Sequence, residues 1–172
     1  MEPEIRYVRS ADGTNIATWT LGAGPPLLVT PGLGHATMQI SWEHPGVRAQ
    51  WEELAQRRRV ISYDHRGFGL SDHDVADLSL AALVADLDAV ARTTGTEPLD
   101  LMGWLTSGPA TIAWSAQSGR VQRLVLYSTA ARGADLRLSP KPRVLAPLLA
   151  IDFVVTAQGP MPHPRRELDQ ND

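Results

Sequence analysis

The 172-residue chain contains no cysteine. That removes a disulfide framework, a thiol nucleophile and any thiolate metal site. Charge of one sign is also missing. Sixteen basic and 19 acidic residues leave a formal net charge of -3, so no surface is marked for nucleic acid or for acidic membrane headgroups. No long hydrophobic run occurs. The longest apolar stretch, Val144 to Val155, is interrupted by Pro147 and Asp152 and is too short to span a bilayer. The first ten residues carry Glu2 and Glu4 without an apolar centre, which does not read as a secretory signal. A phosphate-cradling loop is absent as well. Gly67-Phe68-Gly69 offers two glycines that do not open a helix, so no nucleotide cofactor is expected. These absences lead us to expect a cytoplasmic protein with no cofactor and with neither nucleic acid nor membrane as a partner.

What is present is an alternation. Ile5 to Val8 and Asn15 to Leu21 are β-type runs joined through Asp12-Gly13, a hairpin signal. Leu27-Leu28-Val29 is a short apolar strand of the kind covered on both faces in a parallel sheet. It ends in Pro31-Gly32-Leu33-Gly34. Spacing predicts a helix over Trp51 to Arg58, a strand over Val60 to Tyr63, and a helix capped by Ser79 and running to about Thr93. Leu99 to Met102 and Val121 to Tyr127 read as strands, with a turn at Gly103 to Gly108 and a helix at Pro109 to Ala116 between them. This order predicts an α/β fold with a mixed, mostly parallel sheet of about six strands flanked by helices. Residues 1–134 form the core of this reading. Residues 135–172 are a Pro-interrupted, partly apolar segment with a loose end, although Phe153 to Thr156 has the makings of a rudimentary later strand.

The hairpin, the strand ending in Pro31-Gly32-Leu33-Gly34, the loop Asp64-His65-Arg66-Gly67-Phe68-Gly69-Leu70-Ser71-Asp72 and the segment Gly103 to Tyr127 follow one another as in α/β-hydrolases. The second loop resembles the Asp-x-Arg-Gly-x-Gly-x-Ser-Asp loop after the fourth strand of many members. Trp42-Glu43-His44-Pro45 resembles a subgroup often fused to adenylate cyclase or helix-turn-helix regulators. The resemblance implies the N-terminal part of that fold, a truncated version of it. It also implies an oxyanion-type loop in which the Leu33 N–H faces the pocket; a plain tight turn explains the same glycines.

The resemblance also implies a nucleophile, and the sequence withholds it. Gly-x-Ser-x-Gly falls on Gly103-Trp104-Leu105-Thr106-Ser107, which puts Leu105 at the nucleophile position. Ser107 is a weak substitute, because Leu105 and Pro109 crowd the positions two before and two after it. A cap on the following helix is the expected role for Ser107. The partners of a triad are also missing. Ser128, Thr129 and Ala130 follow the last strong strand, Asp135 lies past the expected bend, and Asp152 falls within an apolar run. His163, between Pro162 and Pro164, is not held rigidly.

Other clusters carry less. Asp64, His65, Asp72, His73 and Asp74 lack the spacing of strong metal sites, and no metal is expected. Asp64, Arg66 and Asp72 are expected instead to brace their loop through ion pairs and turn bonds. Gly32, Leu33, Gly34, His35, Trp104, Leu105 and Thr106 are the expected lining of an oxyanion-like pocket whose floor Trp104 makes apolar. Trp42 and Trp114 are expected near the pocket or the core. Two functions follow. The first is a non-catalytic module or relic that takes a small apolar ligand, a second copy of the chain, or a partner chain over an exposed sheet edge. The second is a small-molecule ester hydrolase using Ser107 with His163 or a borrowed histidine. A third, weaker option is a different chemistry on the same fold.

Overall fold

The computed structural model describes residues 2–32, 37–129 and 131, and the backbone of strand 152–156. β1 (Glu4–Arg9) and β2 (Asn15–Leu21) pair antiparallel from Glu4 opposite Thr20 to Arg9 opposite Asn15. Their turn is tied by Ser10 N–H to the Thr14 oxygen and by Thr14 N–H to the Asp12 carboxylate. β3 (Pro26–Thr30), β4 (Arg59–Tyr63), β5 (Leu99–Trp104) and β6 (Val121–Tyr127) run parallel, and β7 (Asp152–Thr156) returns antiparallel on β6. The order across the sheet is β1-β2-β4-β3-β5-β6-β7.

The expectation of about six strands is met by β1 to β6. β7 is the addition, at the Phe153 to Thr156 stretch where the sequence hints at one. It extends the sheet beyond β6. The outer edge of β6 is paired with β7, so among the described residues the outer strands are β1 and β7.

Helices cover both faces. α1 (Met38–Glu43) and α2 (Pro45–Ala55) lie on one side, and α3 (Leu80–Arg92) and α4 (Gly108–Ser118) on the other. α1 was not expected, and α2 starts six residues earlier than the sequence suggests. Pro45, whose fixed φ suits a first helical turn, starts α2 after the extended residue His44 breaks the path from α1. α2 also stops at Ala55 rather than Arg58, because the chain must turn through residues 56–58 to enter β4 at Arg59. Ser79 caps α3 as expected, its hydroxyl accepting from Ala82 N–H at 3.3 Å. Leu28, Ile61, Leu101, Leu87, Val90 and Trp114 fill the α3–α4 side, and Trp19, Val29, Met38, Trp51 and Val60 fill the α1–α2 side. Each such side chain stabilises the fold by roughly 1.5–3 kcal/mol when fully buried. β1 is the most exposed strand, with Val8 alone half-buried, and β6 is thinly covered as well, with Gln122, Arg123 and Tyr127 exposed and its other residues half-buried.

Candidate functional site

The C-terminal ends of β3, β4 and β5 converge, and three features meet there. The first is the turn between β5 and α4. Gly103 ends the flat part of β5, and a Cβ at this position would lie 2.7 Å from Thr111 Oγ1 and 2.8 Å from its Cγ2, so α4 can approach only over glycine. Leu105 then takes a left-handed backbone, φ 53°, in a one-turn 3-10 helix, Leu105–Ser107. For a non-glycine residue that conformation costs roughly 1–2 kcal/mol. The Thr129 hydroxyl donates to the Leu105 oxygen, and Ser128, also left-handed at φ 50°, sets Thr129 in place. The strained strand-to-helix elbow is therefore built in full, with an aliphatic side chain at its apex.

Ser107 is buried, 2% exposed. Its hydroxyl accepts from Trp104 N–H at 2.8 Å and faces the carbonyl oxygens of Thr30, at 2.9 Å, and Trp104, at 2.8 Å. This corrects the expected helix cap. The hydroxyl makes no bond to an α4 N–H, and it ties the elbow back onto β3 and β5 instead. A hydroxyl with one proton between two carbonyls, and closed off from solvent, is poorly placed to attack an ester. Thr106 is exposed and Leu105 half-buried.

The second feature is the loop after β4. The Asp64 carboxylate accepts from Met38 N–H and Leu70 N–H, both at 2.9 Å. Gly69, φ 58°, passes so close that any Cβ would collide with that carboxylate. Asp72 accepts from the backbone and side chain of Asn15 at 2.7 and 3.0 Å. Ser71 bridges Ala17 N–H and the Asp64 oxygen. Arg66 is 1% exposed and grips Asp86 of α3 through two bonds, at 2.7 and 2.6 Å, and Asp12 of the hairpin turn at 2.7 Å. The expected bracing by Asp64, Arg66 and Asp72 thus exists, but the ion-pair partners of Arg66 are Asp86 and Asp12. These bonds raise the guanidinium pKa and hold the Asp12 carboxyl well below the usual carboxylate range. The sequence signal for Asp86 is an acid inside the apolar face of α3, three residues after Leu83.

His65 is buried, and its Nε2 donates to the Pro31 oxygen at 2.6 Å. Nδ1 has no partner among the described residues. Burial pushes its pKa below the ordinary value, so the ring is neutral at pH 7. Among the described residues no group of three His, Asp or Glu side chains converges to hold a metal ion.

The third feature is a cavity of about 170 Å³ between the sheet and α1–α2. Trp19, Val29, Met38, Val47, Trp51 and Trp104 supply its apolar wall, with Pro31 and Gly32 at the β3 end. Of the expected pocket residues, Gly32 and Trp104 line it. Leu105 and Thr106 stand outside that lining, and Leu33, Gly34 and His35 lie outside the described residues. Trp19 and Trp51, packed edge to face at 4.9 Å, were missed. The central place of Trp19 in the β2 run was the available hint. Trp114 is a core residue whose indole donates to Asp88, and Trp42 lies beneath Arg48 on the α1–α2 surface. Asp135 and His163 lie outside the described residues.

The profile of the alpha/beta hydrolase fold family matches residues 25–159. The chain belongs to the α/β-hydrolase family. Among solved structures it is similar to the esterase RhEst1 from Rhodococcus sp. ECU1013, with 31% identity and a TM-score of 0.63, over 74% of this chain and 46% of that one. It is similar as well to a thermophilic esterase from Thermogutta terrifontis, with 28% identity and a TM-score of 0.63, over 75% and 47% of the two chains. A protein of Azorhizobium caulinodans provisionally named carbamate hydrolase RutD is 34% identical over 87 residues, 51% of this α/β-hydrolase chain and 30% of that protein. The chain spans less than half the length of each of these relatives.

Proposed function

We propose that this α/β-hydrolase-family chain is a non-hydrolytic domain that binds a small apolar ligand. The observation that carries the reading is Leu105 at the apex of an elbow whose strained backbone is otherwise complete. The elbow presents its apical side chain to the site, and here that side chain has no nucleophilic atom. The buried, doubly engaged hydroxyl of Ser107 supports the same reading, as does the aromatic cavity beside the elbow. Half-covered β6 and the outer strand β1 offer surface to a second copy or a partner chain, which sedimentation at rising concentration tests. Absence of cysteine favours a cytoplasmic setting, and among the described residues no helix is long and apolar enough to cross a membrane.

The competing reading is an ester hydrolase acting through Ser107, suggested by the esterases among the similar structures. Fluorophosphonate labelling of the folded protein, with p-nitrophenyl acetate turnover in parallel, separates the two. We expect neither labelling nor Ser107-dependent turnover. Labelling that disappears in Ser107→Ala would return the chain to the hydrolases.

A further inference from the structure

We propose that the outer edge of β1 pairs antiparallel with the same strand of a second copy of the chain, across a two-fold axis at Ile5. This rests on the reading of β1 as a surface for another chain and does not depend on the ligand. The hairpin decides which backbone groups face outward. Ser10 N–H bonds to the Thr14 oxygen, so in the register that sets Arg9 opposite Asn15 the even residues of β1 bond to β2. On the far side of β2, Ala17 and Asn15 give their oxygens to Asp64 N–H and Asp72 N–H, which leaves the even residues of β2 for β1. The N–H and C=O groups of Ile5, Tyr7 and Arg9 therefore point away from β2. Among the described residues no strand pairs with them. A row of free edge groups is a template for another strand.

The side chains choose the partner. Ile5 and Tyr7 are 42% and 59% exposed, on the face that Ile5 shares with its neighbour Trp19. Glu4 and Arg6 lie on the other face with Val8, joined to each other at 2.6 Å and open to solvent. A strand with an acid and a cation two residues apart is complementary to its own reversed copy. In a continuous sheet opposite side chains share a face, so the two-fold axis must pass through one residue position. With the axis at Ile5, Glu4 stands opposite the partner's Arg6, and Arg6 opposite the partner's Glu4. The two Ile5 residues exchange a pair of backbone bonds, and each Tyr7 N–H donates to the partner's Pro3 oxygen. An axis at Arg6 would set two arginines face to face. An axis at Tyr7 would set Arg6 against Val8 and Arg9 against Ile5, with no opposite charges facing. Opposite charges across two strands stabilise and like charges destabilise, which selects Ile5. The contact is one strand wide, so the dimer is reversible.

Because the chain has no cysteine, the axis can be located directly. Ile5→Cys, Arg6→Cys and Tyr7→Cys, all at exposed positions, are each oxidised in the folded, full chain. With the axis at Ile5, the two Cα atoms of residue 5 lie about 5.5 Å apart, within disulfide reach. The two copies of residue 7 are then about 13 Å apart. We expect Ile5→Cys to cross-link and the other two to stay at the rate of unpaired chains. Sedimentation reads the charges. Glu4→Lys and Arg6→Glu should each weaken dimerisation roughly tenfold, since each spoils two pairs. An equimolar mixture of the two variants should dimerise again, because every altered charge then faces its opposite. Cross-linking led by Arg6→Cys or Tyr7→Cys would overturn the register, as would a mixture that stays monomeric. A parent chain that is monomeric at millimolar concentration, with no cysteine variant favoured, would overturn the second copy and leave the edge to a different chain. Fluorophosphonate labelling and turnover report on the elbow alone, so failure here is distinguishable from failure of the non-hydrolytic reading.

Discussion

The loop after β4 and the elbow after β5 stand side by side at one end of the sheet and keep opposite halves of what they resemble. In the β4 loop, Asp64, Arg66, Ser71 and Asp72 are engaged by backbone or ion-pair partners, and the residue pattern and its structural use agree. In the elbow the left-handed backbone is present and the side chain at its apex, Leu105, is aliphatic. The difference teaches that geometry and chemistry are specified separately. Gly103, the close approach of α4 and the Thr129 bond make the turn whatever occupies its apex. One side chain decides whether that turn can react.

The strongest way to break this comparison is to attack the loop through its buried ion pair. Asp86→Ala leaves the Arg66 guanidinium buried with Asp12 as its remaining carboxylate. Removing one member of such a pair costs about 3–5 kcal/mol, and urea unfolding should show a loss of that size. Asp12→Ala, at the exposed end of the same arginine, should cost clearly less. Equal losses would mean that the pair with Asp86 is not what anchors the loop.

The elbow side of the comparison is sharpened by Gly103→Ala. The added methyl meets Thr111 Oγ1 and Cγ2, and overpacking of this kind costs about 1–3 kcal/mol. A variant as stable as the parent in thermal melts would mean that α4 does not press on β5. Leu105 then tests the strain itself. Asparagine tolerates the left-handed region and valine resists it. Leu105→Asn should melt at or above the parent, and Leu105→Val should lie about 1 kcal/mol below it. The reverse order would remove the left-handed elbow from the argument.

The same two regions show how far the sequence could be read. The parallel alternation, the hairpin and the Ser79 cap were legible, because period, turn residues and caps act over a few positions. The place of Leu105 in the turn after β5 was legible too, since Gly103 and the strand before it frame the position. What the sequence hid was long-range. Asp86 meets Arg66 across 20 residues, Ser107 bonds to Thr30 across 77, and Trp19 meets Trp51 only once α2 folds onto β2. β7 was hinted at by Phe153 to Thr156, but its antiparallel place against β6 was not legible. The early start of α2 came from Pro45, a local signal that was present but outweighed by the apolar spacing farther along.

The smallest effect belongs to the histidine that joins the two regions. His65 leaves the β4 loop and donates to Pro31 at the end of β3, beside the elbow. Burial lowers its pKa in the folded protein below the unfolded value of about 6.5. The unfolded chain therefore binds the proton more readily, and stability is whole above that pH. It should fall as the pH drops through about 6.5 towards the folded pKa, with a slope of at most about 1.4 kcal/mol per pH unit for one proton. Carboxylates held low, such as Asp12 and Asp77, act in a more acidic window. Urea midpoints between pH 7 and pH 5 should decline more steeply for the parent than for His65→Gln, whose amide can still donate to Pro31 without titrating. Parallel curves would mean that the ring is solvated and that the junction between loop and elbow is looser than the 2.6 Å bond implies.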